Sequence, residues 1–377
     1  MRKSVALIAL AVQSAYGATF NVSNSTELQA ALTTAATNGQ DDVIVLAPGT
    51  YTGAFDHYTN ENYGIVILRG LNRDTVILND AKLTFRYTRS APSVFMGDMT
   101  IKGVSSVASD YLSVARITWR ASSRLGATAE DSAFIGSGGL SGSAYRSVFI
   151  GNSTPGTGAV RGDVYDSLFI GNTALEYCET LFVGRYCGWE SHGGGVSGTA
   201  NNSIFIRNSA GVGGAVSGTA TGSYFSGNSA KRNTSLYEPG VRINNYSPVG
   251  AAVYGSATHS EFYDHKTAAV WTNTQDVYDN ILDPASIAGG TPFQGRNTAP
   301  STFANQTECL INWAETNYPQ HFPAWGGSYE TKPYRFRYYP AAGTYLGTSA
   351  QDGKVYYLKD KLHDLGALKE WLAASGC

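Results

Sequence analysis

The chain is predicted to fold as an all-β solenoid, a parallel β-helix, with a small α+β domain at its C-terminus. Two observations carry that expectation. The segment GGGVSGTANNSIFIRNSA at Gly193–Ala210 is followed at once by a near copy, GGAVSGTATGSYFSGNSA at Gly213–Ala230. A wider set of columns then recurs at fixed offsets: Leu125, Leu140, Val160, Val196, Val216 and Val253 each precede a serine by seven residues and a phenylalanine by nine. Repetition at a period near twenty residues, with short β segments and no helical period, means one coil per repeat. A leucine-rich repeat would need leucine columns, which are absent.

Composition agrees. Of 377 residues only 15% are charged, while there are 43 glycines and 24 tyrosines against 3 methionines, a balance typical of turn-rich exported β proteins. A formal net charge of −2 supplies no basic surface for nucleic acid. No run of about 18 apolar residues exists, so no transmembrane helix is expected.

The N-terminus reads as an export leader over residues 1–17. Arg2 and Lys3 are its basic start, Val5–Val12 its apolar core and Ala15-Tyr16-Gly17 its small-x-small exit, so the mature chain begins at Ala18 or Thr19. The protein is therefore expected outside the cytoplasm: extracellular, at the cell surface or periplasmic. A short helix follows, capped by Asn24, closed by Glu27, faced by Leu28, Ala31, Leu32 and Ala35, and ended by Gly39. Asp42–Ala47 reads as a strand halted at Pro48-Gly49, and further strands are read at 64–68, 75–78, 83–85, 93–96 and 99–101.

From Leu125 the apolar column advances by 15, 20, 36, 20 and 37 residues, so the two long gaps hold insertions of 16 and 17 residues. Phe134, Phe149, Phe169, Phe205, Phe225 and Phe262 are expected to stack inside the helix, and Asn152, Asn172, Asn208 and Asn228 to hold a corner. The phenylalanine strand is apolar at both parities: Val148, Ile150, Leu168, Ile170, Ile204, Ile206 and Tyr224 share it. It should be buried on both faces, under an insertion, the C-terminal domain or a partner.

The solenoid spans 18–283. Residues 284–307, rich in Pro, Gly, Ala, Ser, Thr and Asn, form a linker to a domain at 308–377. In an oxidising compartment the economical pairings are Cys178 with Cys187 and Cys309 with Cys377, although four cysteines permit three connectivities. Neither group has the spacing of a metal site.

The GGAV and FxxNxA patterns (Gly213–Val216, Phe225–Ala230) resemble the repeats of polymorphic outer-membrane proteins, and DDVIVLAPGTY at Asp41–Tyr51 resembles the first coils of the pectin-lyase-like superfamily. These resemblances run from about Ala18 to Asp283 and imply a right-handed helix. That superfamily holds lyases, epimerases, phage spikes and non-catalytic adhesins, so its fold leaves activity open. The tail, with CLINWAE at 309–315, YRFRYYP at 334–340 and its WL…GC ending, resembles a small C-terminal domain of secreted proteobacterial proteins.

Few residues suggest catalysis. Lyases of the resembled fold imply a Lys or Arg base beside calcium-binding carboxylates. The only such column is Asp131, Arg146 and Asp166, which reads either as an arginine poised between carboxylates or as a surface ion-pair ladder. No Gly-x-Ser-x-Gly elbow occurs. His192 reads as a surface loop residue at an insertion's end. Tyr186, Trp189, Tyr237 and Tyr246 in the insertions are candidates for stacking on sugar rings. The first reading is a non-catalytic recognition, adhesion or structural protein with a polysaccharide or cell-surface ligand and no cofactor. The alternative is a lyase or epimerase acting on an acidic polysaccharide, which alone would call for calcium. The oligomeric state is left open.

Overall fold

The computed structural model describes residues 17–60, 64–88, 93–175, 177–181, 184–189, 191–230, 242–243, 251–258, 260–263, 270–271, 277–278, 281–282 and 316. Within 177–189 and 242–243, and from 258 onward except Ser260, only the backbone path is described. The export leader before Gly17, the linker, the C-terminal domain with Cys309 and Cys377, and Tyr237 and Tyr246 lie outside the described residues. Among those residues no helix is long and apolar enough to cross a membrane. The chain divides into two compact units after Ile117.

The first unit alternates between two parallel sheets. Thr19–Val22, Asp42–Leu46, Ile65–Gly70, Ser93–Gly97 and Tyr111–Ala115 form one of them. Gly49–Thr59, Val76–Tyr87, Thr100–Gly103 and Ser106–Ala108 form the other. Period-2 alternation sends every second residue inward, so Ile44, Leu68, Met96 and Val114 stack as one buried column.

The sequence suggested only a turn at Pro48-Gly49, but an eleven-residue strand starts there. Its inward residues include polar ones, which hid it: Tyr51 is buried and donates its hydroxyl to Val22 O at 3.0 Å and Ala47 O at 2.9 Å.

The helix Ser25–Ala35 caps this strand. Gln29 Nε2 donates to Asp56 O at 2.9 Å, while Asp56 N donates to Gln29 Oε1 at 2.8 Å. Thr52 N donates to Ser25 Oγ at 2.9 Å. Polar helix side chains thus occupy backbone groups that an edge strand would offer to another chain. The helix is capped by Asn24, whose Oδ1 accepts from Glu27 N at 2.9 Å, and the Glu27 carboxylate reaches back to Ser23 N at 2.7 Å. It ends at Ala35, four residues before Gly39, because its last turn is closed by Ala36 N on Leu32 O.

In the second unit the expected columns are in register. Leu125, Leu140, Val160, Val196, Val216 and Val253 are successive Cα partners. So are Phe134, Phe149, Phe169, Phe205, Phe225 and Phe262. The chain is a parallel β-helix. A third ladder, Ser153–Pro155, Thr173–Leu175, Ser209–Ala210 and Ser229–Ala230, completes the four coils that start at Leu140, Val160, Val196 and Val216. Rings Phe149 and Phe169 lie 4.7 Å apart at 2°, a spacing set by the strand separation of about 4.8 Å.

Buried polar ladders fix the corners. Ser147 N donates to Ser167 Oγ at 3.1 Å and Ser167 N to Ser203 Oγ at 3.1 Å, each hydroxyl in turn donating to the carbonyl two residues before it. Asn172 Nδ2 donates to Asn208 Oδ1 at 2.9 Å and to Phe149 O at 2.9 Å. The backbone N–H groups of the serine and asparagine columns therefore find a side chain one coil away.

A glycine column absent from the sequence reading follows the valines by two residues: Gly142, Gly162, Gly198, Gly218 and Gly255 hold φ between +135° and +151°. A Cβ on Gly198 would lie 2.4 Å from Gly162 O, so no side chain fits.

The insertions leave the coils between the third ladder and the valine ladder. Tyr177–Leu181 and Gly184–Trp189 form an antiparallel hairpin in which Cys178 opposes Cys187. Arg242–Ile243 of the second insertion pairs parallel with it, Tyr186 opposite Arg242. The two insertions form one small sheet.

Candidate functional site

The site candidates are the outward positions of the valine ladder. Alternation places Ser141, Arg161, Ser197, Ser217 and Tyr254 in one outward column, in register. Glu130, Tyr145, Tyr165, Asn201 and Thr221 form another. Tyr145 and Tyr165 are half-buried and stacked, 5.0 Å between centroids at 5°. Burial, then Asp163 and Tyr145, raises the Tyr165 phenol, which stays neutral. This is a polar surface that carries one stacked aromatic pair.

The column Asp131, Arg146, Asp166 and Asn202 has a backbone explanation. These residues sit at φ +48°, +46°, +50° and +47°, and Gly222 follows at +58°. The left-handed region favours Gly, Asn and Asp, so three of the four side chains match the turn itself. Arg146 is the exception, and it is tied down: Nε meets Asp131 Oδ1 at 3.0 Å and Nη2 meets Glu130. Hydrogen bonding to Asp131, with that to Glu130, raises its pKa above the ordinary arginine value. A guanidinium held protonated by two carboxylates cannot accept a proton. Asp98 and Arg116 repeat the pairing in the first unit, at φ +55° and +53° with Nε to Oδ1 at 2.6 Å.

His192 is tied to the coils on both sides by isolated bridges. The coil resumes at Ser191, and His192 makes parallel bridges with Thr157 and Val212. Its Nδ1 lies 3.5 Å from Ser217 Oγ and its ring 6.4 Å from that of Tyr254. The sequence reading missed this because Ser217 and Tyr254 belong to the next two coils. It also passed over Tyr145 and Tyr165, although their twenty-residue spacing was there to see.

Val148, Ile150, Leu168, Ile170, Ile204, Ile206 and Tyr224 are all buried, none more than 2% exposed, together with the phenylalanines between them. That stripe is therefore covered and offers no free surface. Tyr186 and Trp189 lie on the insertion hairpin, where only the backbone is described.

No family model matches the chain, and no curated protein does. Among solved structures it is similar to the A-module of a mannuronan C-5 epimerase from Azotobacter vinelandii, at 16% identity and TM-score 0.33, over 73% of this chain and 92% of that one. A PL6 family alginate lyase matches at 12% identity and TM-score 0.33, over 75% of this chain and 54% of that one. A mannuronic acid specific family 6 polysaccharide lyase from human gut microbiota matches at 10% identity and TM-score 0.35, over 80% of this chain and 98% of that one. Likeness at this level does not extend to activity, and the fold assignment rests on the strand registers above.

Proposed function

We propose that the protein is an exported carbohydrate-recognition protein whose valine-ladder face binds an extended glycan without cleaving it. The observation that carries this reading is the Tyr145–Tyr165 stack, set among outward Ser, Thr and Asn columns. Coils repeating every ~4.8 Å present the same hydroxyls and amides again and again, which suits a ligand that is itself a repeating chain. The ring pair supplies apolar area beside the polar columns, and its phenol hydroxyls can donate to sugar hydroxyls. The test is binding of the full chain to a panel of soluble polysaccharides by calorimetry. Tyr165→Ala is expected to weaken binding roughly tenfold, about 1.4 kcal/mol; a panel with no binder would sink the reading.

A second reading, an enzyme acting on an acidic polysaccharide, is favoured by one arrangement. His192, Ser217 and Tyr254 group a titratable ring, a hydroxyl and a phenol on the same face. Calcium does not fit what is described: no group of three His, Cys, Asp or Glu side chains converges among the described residues, and Glu130 and Asp131 are engaged by Arg146. Appearance of unsaturated uronate ends on incubation with uronate polymers, lost in His192→Ala, would establish this reading over the first.

A further inference from the structure

Among the described residues four arginines are paired with acids: Arg73 with Asp74, Arg86 with Asp56, Arg116 with Asp98, and Arg146 with Glu130 and Asp131. Arg124 and Arg161 are arranged differently. Arg124 is part-buried and reaches from its own coil onto the next two: Nη1 donates to Leu140 O at 3.0 Å, Nη2 to Thr157 Oγ1 at 3.1 Å and to Gly158 O at 3.0 Å. All three acceptors are neutral. Leu140 is the Cα partner of Val160, so the guanidinium is delivered beside the start of the strand that carries Arg161.

Arg161 is exposed, and among the described residues neither arginine makes an ion pair. Burial, then the charge of Arg161, lowers the Arg124 pKa. The two cations therefore repel each other across this corner. Asp163, two residues past Arg161, has its Oδ1 engaged by Thr199 N at 3.0 Å. Holding one guanidinium against neutral carbonyls close to another costs Coulomb energy that an incoming anion would reverse.

We infer that Arg124 and Arg161 form an oxyanion subsite at the edge of the glycan-binding face, taking a carboxylate or sulfate group carried on the sugar chain. This deepens the recognition reading and rests on it for the polymer, though not for the anion. Arg124 is the fixed element, placed by its three hydrogen bonds. Arg161, exposed on the neighbouring strand, meets the anion from the solvent side.

The experiment compares polygalacturonate, dextran sulfate and dextran at one ionic strength, with wild type, Arg161→Gln and Arg124→Gln. Wild type is expected to bind at least one charged polymer about tenfold tighter than dextran, a preference worth about 1.4 kcal/mol. Arg161→Gln should remove that preference, bringing the charged polymers down to the level of dextran, and the polymer that suffers more identifies carboxylate or sulfate as the group. Unchanged binding of both charged polymers by Arg161→Gln overturns the subsite. If no polymer binds, the recognition reading fails by itself. The subsite is then decided by melting temperature in sodium sulfate against sodium chloride of equal ionic strength. A sulfate-specific rise abolished by Arg161→Gln supports it, and equal melting in the two salts overturns it. Arg161 is exposed, so its variant is expected to fold even where Arg124→Gln does not.

Discussion

Asn152 and Asn172, twenty residues apart, are joined through a single oxygen: the backbone N–H and the side-chain Nδ2 of Asn152 both donate to Asn172 Oδ1, at 3.0 and 2.8 Å. Both residues are fully buried. Asn172 passes the same arrangement on to Asn208, so one amide per coil satisfies the backbone of the coil before it. Removing it strands a buried N–H and a carbonyl. Asn172→Ala is expected to cost about 2–4 kcal/mol in urea denaturation, well above a surface substitution. A loss under about 0.5 kcal/mol would mean that the ladder is incidental.

The glycine column separates backbone need from loop tolerance. Gly198→Ala places a Cβ against Gly162 O at φ +151° and should destabilise by about 2–4 kcal/mol. Gly126→Ala is the control, with nothing within 4 Å of its Cβ; it should stay within about 0.5 kcal/mol. Equal effects of the two would refute the close-approach argument.

Arg146 occupies a left-handed turn at which glycine or asparagine is preferred. Arg146→Gly gives up a partly exposed ion pair, worth about 0–1 kcal/mol, and relieves the turn by a similar amount. Stability within about 1 kcal/mol of wild type, with glycan binding intact, is the expected result. Loss of binding or of any uronate-directed activity would return Arg146 to the functional residues.

Glu27 links helix capping to pH. Hydrogen bonds from the Ser23 backbone, then from the Ser23 side chain and Asn24, lower its pKa in the folded state. A lowered folded value means that its stabilisation is fully present above the ordinary carboxylate range and disappears as pH falls through the lowered value. Acid denaturation of Glu27→Gln should therefore show a shallower loss on that limb than wild type. Identical slopes would show that the cap does not titrate with folding.

The hairpin register makes Cys178 and Cys187 cross-strand partners. Opposed Cα atoms in antiparallel pairs lie about 4.5–5.5 Å apart, inside the range of about 4.4–6.8 Å that a disulfide needs. Non-reducing peptide mapping of the protein purified under oxidising conditions should recover Cys178 linked to Cys187, leaving Cys309 for Cys377. A Cys187–Cys309 peptide would reject both pairings.

Much of the architecture was written in the sequence, for a physical reason. When coils stack at one strand spacing, equivalent positions touch their own copies, so Phe149 must meet Phe169 and Asn172 must meet Asn208. The repeat records these contacts directly, and even the two insertions appear as excess length between fixed columns. Only the tertiary structure decided what the charged columns mean. Asp131, Arg146 and Asp166 share a turn whose positive φ suits the two aspartates, while Arg146 is held there by Glu130 and Asp131. The pairing of Tyr186 with Arg242 depends on two insertions meeting in space. Arg124 reaches Thr157 and Gly158 through a long side chain crossing two coils, and His192 lies beside Ser217 and Tyr254 for the same kind of reason. Stacking is periodic and leaves a pattern in the chain. Reach across coils is not, and it becomes visible only when the backbone is in place.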